Sequence, residues 1–303
     1  MTKLLPLIHS KTNPNPETNL YERRHPPWIK AKISNGPNYR DLKQLMRGLN
    51  LHTVCEEAQC PNIGECWNDR SATFMILGDV CTRRCMYCAV TKGNPIETDY
   101  DEPRRIGEAV EYLKLKHVVI TSVNRDDLPD GGAKIFSECI LESRLRSPNC
   151  TVEVLIPDLE GNWKALKAIV EARPDVLNHN TETVPRIYRR IRPRADYKRT
   201  LELLRLSKEM APEMLTKSGL MVGLGENTIE LLETIQDIRN TNCDLLTIGQ
   251  YLSPSKKHFD VDYYYTPEEF EQLKTASLKM GFRHVESGPL VRSSYHARQQ
   301  AQL

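Results

Sequence analysis

From residue 74 onward, short and almost wholly apolar runs alternate with longer stretches whose apolar residues recur every three or four positions. The runs at 74–77, 118–122, 152–156, 176–178, 219–222 and 245–248 read as buried strands, bounded as they are by polar and glycine-rich sequence. Between and after them, 103–115, 134–145, 163–171, 198–210, 228–240 and 267–280 carry helical spacing. Six such units predict parallel strands joined by crossover helices, an α/β fold closed as an incomplete barrel or left as an open sheet. Ahead of them, Tyr39, Leu42, Leu45, Met46 and Leu49 mark a helix over 38–51 packed on the main body. The stretch up to Pro27 is rich in Pro, Asn and Thr and reads as loosely ordered.

In parallel α/β folds the functional groups gather at the C-terminal ends of the strands. Every strand candidate here runs into polar or glycine-rich sequence. Ser122 and Asn124 follow the second, Pro157 and Asp158 the third, and Asn180 and Glu182 the fourth, which itself ends on Asn178. Gly223, Gly225 and Glu226 follow the fifth, and Gln250 and Tyr251 the sixth. Turn and capping chemistry accounts for any single one of these. Their coincidence at all six ends points to a site on one rim.

The cysteines say what kind of site. Six of the nine lie between 55 and 88, as Cys55, Cys60 and Cys66 (C-x4-C-x5-C) and Cys81, Cys85 and Cys88 (C-x3-C-x2-C). Three thiolates in a tight loop hold three irons of a [4Fe-4S] cube and leave the fourth open to a ligand. Zinc sites favour paired C-x2-C knuckles with four ligands, and disulfides need an oxidising compartment to which nothing here directs the chain. Two incomplete sets together point to iron-sulfur chemistry. Cys139, Cys150 and Cys243 lack ligand spacing and read as core or near-surface thiols.

Composition narrows the picture further. With 303 residues, 39% hydrophobic and 27% charged, the chain is neither disordered throughout nor short of a core. A net charge of +2 gives no bulk attraction to nucleic acid, and no apolar run is long enough to cross a bilayer. The start lacks a secretory apolar region, and it has Glu17 but no arginine before Arg23, unlike a transit peptide. The expectation is a soluble cytoplasmic protein that binds neither membrane nor nucleic acid. One strongly basic run, 185–199, is either a solvated helix face or a docking patch for an acidic carrier domain.

CTRRCMYC, with Tyr87 before its last cysteine, resembles the signature of radical S-adenosylmethionine enzymes. CEEAQCPNIGECW together with RSSYHA at 292–297 resembles the lipoyl synthase family within that group. The likeness runs from about Trp28 to Ala297 and takes in TSVNRDDLPDGGA, VEVLIPD, NHNTETVPR, SGLMVGLGE and LTIGQYLSPS. It implies a partial (β/α)6 TIM-like barrel over 71–281, flanked by an N-terminal extension, 1–70, and a C-terminal extension, 282–303.

The resemblance also implies two [4Fe-4S] clusters. One, on Cys81, Cys85 and Cys88, binds S-adenosylmethionine and cleaves it to a carbon radical; the other, on Cys55, Cys60, Cys66 and Ser294, supplies two sulfurs to C6 and C8 of a protein-bound octanoyl chain. Arg292 would guard that second cluster or contact substrate. Tyr87, Ser122, Asn124, Asn178, Asn180, Glu182, Gly223, Gly225 and Glu226 are the candidates to surround S-adenosylmethionine. The implied partners are octanoylated lipoyl domains of 2-oxoacid dehydrogenase E2 subunits and the glycine cleavage H protein, an electron donor such as ferredoxin or flavodoxin, and an iron-sulfur carrier. A methylthiotransferase that acts on tRNA would need an added nucleic-acid-binding domain, and few residues remain after Ala297. A simple iron-sulfur electron carrier would not need the six-unit scaffold.

Overall fold

The computed structural model describes residues 25–301 except 31–35, 69, 70, 72 and 96, so most of the proline-rich start lies outside the described residues. One sheet dominates. It contains β1 (His52–Thr53), β2 (Thr73–Ile76), β5 (His117–Ser122), β6 (Thr151–Leu155), β7 (Val176–Asn178), β8 (Leu215–Val222), β9 (Leu245–Gln250) and β10 (His284–Gly288), hydrogen-bonded in that order. β1 runs antiparallel on β2, and all later neighbours are parallel. The short strands β3 (Val80–Cys81) and β4 (Thr91–Lys92) pair apart from it.

The six expected strands are present, and a seventh parallel strand, β10, extends the row beyond β9. β10 falls within the span read from sequence as the C-terminal extension. Its residues, HVESG, offer only Val285 as a buried apolar side chain, too weak a signal for periodicity to detect. β8 likewise begins at Leu215, four residues before the expected 219, because Thr216, Lys217 and Ser218 look polar yet are fully buried.

The crossover helices are α4 (Glu102–Tyr112), α5 (Ala133–Arg146), α6 (Trp163–Glu171), α8 (Tyr197–Met210), α9 (Thr228–Asn240) and α10 (Pro267–Lys279), with a short α7 (Pro185–Ile191) after β7. Local chemistry sets the starts of the last two long ones. Asn227 with Glu230, and Thr266 with Glu269, form reciprocal capping boxes that satisfy first-turn N–H groups. Phe74, Ile76, Val118, Ile120, Val152 and Val154 of the sheet pack against Ile106, Phe136, Ile140, Leu166 and Ile169 of the helices. Leu220, Val222, Leu246 and Ile248 meet Ile235, Phe270 and Leu273 in a second cluster. Cys139, Cys150 and Cys243 are buried core thiols, as their spacing suggests. No helix among the described residues is long and apolar enough to cross a membrane.

Before the barrel, α1 (Pro37–Gly48) buries Leu42 and Met46, and Tyr39 rests on the buried Trp67 of α3 (Ile63–Asn68), ring centroids 5.0 Å apart. The first cysteine set is thereby seated on the edge of the sheet next to β2.

Four strands join in a buried polar network. Lys217 Nζ donates to Glu153 Oε1 at 3.0 Å, Asn178 Nδ2 donates to the same oxygen at 3.0 Å, and His117 Nε2 lies 3.5 Å from Glu153 Oε2. Burial disfavours the Glu153 charge, but Lys217 and His117 outweigh it and hold the carboxyl at about 2. Because that value lies below an ordinary glutamate's, the contribution is full above the unfolded carboxyl's pKa and fades as pH falls toward 2. Lys217→Met leaves Glu153 buried without its main counter-charge and should cost about 3–5 kcal/mol. Thermal denaturation at neutral pH checks this, and a variant that melts with the parent would show the network to be dispensable.

Candidate active site

The C-terminal strand ends open into a cavity of about 570 Å³. Its wall takes Cys81, Cys85, Tyr87 and Cys88 from the segment after β2, Ser122 and Asn124 from the end of β5, and Asn180 and Glu182 from beyond β7. Met221 of β8, Gln250 of β9 and the adjoining Tyr251 complete the barrel side.

The cysteine segment is fixed residue by residue. β3 and β4 close its base, with Gly93 N donating to Cys81 O at 3.0 Å. Thr82 donates to Asn124 O through both its N–H (3.0 Å) and its hydroxyl (2.9 Å), and Asp126 N donates back to Thr82 Oγ1 at 3.1 Å. Arg83, only 3% exposed, spans Asp126 (2.8 Å) beyond β5 and Asp158 (2.5 Å) beyond β6. On the other side, Met86 N donates to Ile191 O at 2.8 Å, Phe259 N donates to Met86 O at 2.9 Å, and His258 Nε2 lies 3.1 Å from Cys88 O. With the intervening residues committed to neighbouring loops, the three thiols are left at the cavity wall.

Their electrostatics reflect that crowding. Burial pushes the Cys88 thiol up to about 12, with the charges of Cys85 and Cys81 adding to the shift. Burial also raises Cys85, where Cys81 and Glu182 work in the same direction and Arg192 works against them.

A second cluster of side chains lies beside the thiols. Glu182 accepts from Tyr87 Oη at 3.3 Å and Asn180 Nδ2 at 3.1 Å, and burial raises its pKa. It holds a left-handed φ of 73°, a costly conformation for glutamate of the kind that concentrates at functional sites. Arg192, 8% exposed, donates through Nη1 to Asn180 O at 3.0 Å and to Tyr188 Oη at 2.8 Å. Sequence reading grouped it with Arg189 and Arg190 as a surface patch. The structure separates them: α7 ends at Ile191, and Arg192 turns inward to the cavity while Arg189 and Arg190 stay exposed.

The far side of the cavity belongs to the two chain ends. Val54, Gln59 and Pro61 line it from the first cysteine set, and Leu290, Arg292 and Ser293 from the RSSYHA region. Thr53 caps the short helix α2 (Val54–Glu57), Cys60 N donates to Cys55 O at 3.0 Å, and Asn62 Nδ2 ties this turn to Leu290 O at 2.7 Å. Gly249 of β9 makes the approach possible, because a Cβ there would collide with Val291 O. Burial, helped by Cys60, pushes Cys55 up to about 11. Burial raises Cys60 too, against the opposing Arg292 charge. Arg292 is partly buried and has no acidic partner among the described residues, unlike a surface ion-pair arginine. Ser293 lines the cavity, while Ser294, next to it, accepts from Ala297 N at 3.4 Å through its carbonyl.

Eight candidates stand off the cavity wall: Cys55, Cys60, Cys66 and Ser294 beside the chain-end residues that line it, and Asn178, Gly223, Gly225 and Glu226 on the barrel side. Asn178 gives its amide to Glu153, and Glu226 accepts from Gly223 N (2.6 Å) and Leu224 N (2.9 Å), closing a turn that includes Gly225. Gly223, at φ 94°, is needed for packing, since a Cβ would strike Gln250 and Tyr263 O. Conversely, Arg83, Arg192 and His179 line the cavity and were not among the expected cofactor contacts. His179 lines the cavity with Nδ1 2.8 Å from Ile156 O, and burial next to Arg192 lowers its pKa to about 4.

Comparison with known proteins fits this geometry. The radical SAM superfamily profile matches residues 75–238, and the profile of the N-terminal domain of lipoyl synthase matches 10–60. The lipoyl synthase of Koribacter versatilis is 60% identical over 91% of this chain and 91% of its own length. Those of Rubrobacter xylanophilus and a Roseiflexus species are 58% and 54% identical over 91% and 98% of this chain, and 86% and 97% of their own lengths. The chain belongs to the lipoyl synthase family.

Among solved structures, methylornithine synthase superposes with a TM-score of 0.53 at 12% identity, covering 82% of this chain and 81% of its own. A maturase of the [FeFe]-hydrogenase gives 0.52 at 14%, covering 88% and 65%. At those identities they speak for the fold alone, an α/β partial barrel. The lipoyl synthase reading makes the chain a radical S-adenosylmethionine enzyme and a sulfurtransferase, with one [4Fe-4S] cluster and S-adenosylmethionine as its reagents.

The residues present suit both reagents. In this chain the thiols of Cys85 and Cys88 are raised by burial and by neighbouring negative charge, that of Cys81 on both and that of Cys85 on Cys88, a penalty that bound iron reverses. Ser122 Oγ, Asn124 Oδ1, Asn180 Oδ1 and Arg192 Nε are buried with no hydrogen-bond partner. Ser122, Asn124, Asn180 and Arg192 all line the cavity. Buried polar groups left open in this way ask for a polar ligand, and S-adenosylmethionine offers a carboxylate, an ammonium and a ribose.

Proposed function

We propose that this enzyme places two sulfur atoms, at C6 and C8, on an octanoyl chain carried by a lysine of a lipoyl domain, with an auxiliary [4Fe-4S] cluster as their source. The observation that carries the reading is the convergence of both cysteine regions on one cavity: Cys81, Cys85 and Cys88 on the barrel side, and Val54, Gln59 and Pro61, which flank Cys55 and Cys60, with Leu290, Arg292 and Ser293 opposite. Cys81, Cys85 and Cys88 would hold the S-adenosylmethionine-binding cluster; Cys55, Cys60, Cys66 and Ser294 would hold the auxiliary one. When bound, these groups supply one-electron cleavage of S-adenosylmethionine to a carbon radical, and sulfide for transfer.

Octanoyl C–H bonds have no neighbouring group to acidify them, so proton transfer by side chains does not open them. The chain's task is placement and exclusion of water. Val54, Met75, Leu155, Leu252 and Leu290 make an apolar wall suited to an alkyl chain. Asn180, Glu182, Tyr87 and Arg192 are arranged to orient the polar ligand, and Arg292 offers positive charge to the auxiliary thiolates. Asn178, Gly223, Gly225 and Glu226 would support those loops from behind. The extensions, read as 1–70 and 282–303, would thus serve the auxiliary site, β10 excepted because it joins the barrel sheet, and 71–281 the radical site. Partners of this reading are the E2 lipoyl domains, the H protein, a ferredoxin or flavodoxin and an iron-sulfur carrier, all in the cytoplasm.

The test is anaerobic incubation of reconstituted, reduced enzyme with S-adenosylmethionine and an octanoylated lipoyl domain. The domain should gain the mass of two sulfur atoms. Serine oxygen is a harder donor than thiolate and releases its iron more readily. Ser294→Cys should therefore retain its auxiliary cluster yet insert sulfur at least tenfold more slowly, about 1.4 kcal/mol of added barrier. Undiminished insertion would show that the serine is not the release point.

A further inference from the structure

Reducing the radical cluster requires an electron from outside, and the structure indicates where its carrier sits. The outer surface of the cysteine segment is covered by 255–259: His258 Nε2 is 3.1 Å from Cys88 O, Ser255 Oγ is 2.8 Å from His258 Nδ1, and Phe259 N donates to Met86 O. The Arg190 guanidinium lies 5.2 Å from the centroid of the Phe259 ring. Around this cover Arg84, Arg189, Arg190, Lys256 and Lys257 are all exposed, and none has a carboxylate within ion-pair distance among the described residues. Asp260 is the one exposed acid within the adjoining 255–260 stretch. Elsewhere on the surface, exposed arginines such as Arg104, Arg186 and Arg205 are paired with acids. Exposed cations without an acid partner among the described residues occur elsewhere too, Lys114, Lys116 and Lys164 among them, but these five lie in or beside the loop that contacts Cys88 and Met86 directly.

We propose that this basic rim docks an acidic one-electron carrier protein, which delivers its electron through the 255–259 cover to the cluster held by Cys81, Cys85 and Cys88. The inference rests on the functional reading above. One electron leaves the reduced carrier and enters the cluster; no proton or group is transferred with it. The direct contact of the 255–259 loop with the cysteine segment and charge attraction favour this face over the cavity mouth, which the octanoyl chain must enter. Two macromolecules approaching from different sides need not exclude each other. Complementary charge accelerates encounter and makes affinity depend on ionic strength.

The test uses an acidic flavodoxin and the triple variant Arg190→Glu, Lys256→Glu, Lys257→Glu. Titration calorimetry of the carrier with cluster-loaded protein should show about tenfold or greater weakening at low ionic strength and a flattened salt dependence. Lys164→Glu, on the exposed face of α6, is the control and should bind as the parent does. Cleavage of S-adenosylmethionine driven by the flavodoxin should slow in parallel, while cleavage driven by dithionite stays at the parental rate. Equal carrier affinity in parent and triple variant overturns the proposal. So does a triple variant that loses affinity for the octanoylated domain and keeps it for the carrier. If the parent cleaves no S-adenosylmethionine with dithionite, the functional reading itself has failed, a separate outcome.

Discussion

Cys85→Ala is expected to reduce S-adenosylmethionine cleavage to background, whereas Cys60→Ala should keep cleavage and lose sulfur insertion. The two cysteines sit in segments with separate supports. Cys85 is held by contacts to the ends of β5, β6 and α7, and Cys60 by α2, Asn62 and the 290–292 strap. Neither support passes through the other, so loss of one ligand set leaves the other folded. Each variant should reconstitute with about half the iron and sulfide of the parent, since one cube of two is lost. 5′-Deoxyadenosine and lipoyl-domain mass, measured on the same samples, separate the outcomes. If Cys60→Ala also stops 5′-deoxyadenosine formation, the sets are not functionally independent and the auxiliary assignment falls. If both variants keep full iron, the cysteines are not the ligands at all.

What the sequence made legible, and what it hid, follows from how each signal arises. Strand positions were readable because parallel strands buried on both faces leave continuous apolar runs, and the rim was readable because every strand end turned polar together. The cysteine spacing announced the chemistry without any fold. Lys217, Arg192 and Arg83 were not legible as buried, because nothing local distinguishes a buried charge from a solvated one. Their partners Glu153, Asn180 and Asp158 are 64, 12 and 75 residues away. The glycines carry a different kind of signal. Gly223 is required by backbone conformation and by Tyr263 O, a constraint that a strand-end glycine in the sequence signals only as a turn. Asn178 ends its strand as expected, yet its amide is committed to Glu153.

A stability effect as large as that at Lys217 is expected at Arg83, which among the described residues fastens the cysteine segment to two strand ends at once. Burial works against its charge, but hydrogen bonds to Asp126 and Asp158 raise its pKa above the ordinary guanidinium value. Asp158, fully buried, is driven up by burial and down by Arg83, and settles at about 2. Arg83→Met removes the shared cation and leaves the buried Asp158 and the partly buried Asp126, with Arg199 (3.1 Å from Asp158) and the exposed Arg194 (3.5 Å from Asp126) as partial substitutes. The cost should be about 3–5 kcal/mol, a fall in Tm on the order of 10 °C. Cluster loss should be confined to Cys81, Cys85 and Cys88, with the auxiliary iron retained. Arg83→Lys should recover only part of the loss, because a point charge lacks the planar fork that reaches both acids. The pH dependence gives an independent check. Asp158's depressed pKa contributes stability fully above the unfolded carboxyl's pKa, and that contribution disappears as pH falls toward 2. The parent's Tm should therefore drop across that acid limb, and the Arg83→Met curve should be flatter there. Adding Asp126→Asn and Asp158→Asn to Arg83→Met should restore part of the stability, since neutral amides tolerate burial where unpaired carboxylates do not. A Met variant that melts within about 1 kcal/mol of the parent, with full iron, would mean that the loop is held by its backbone bonds and that the ion pairs are incidental.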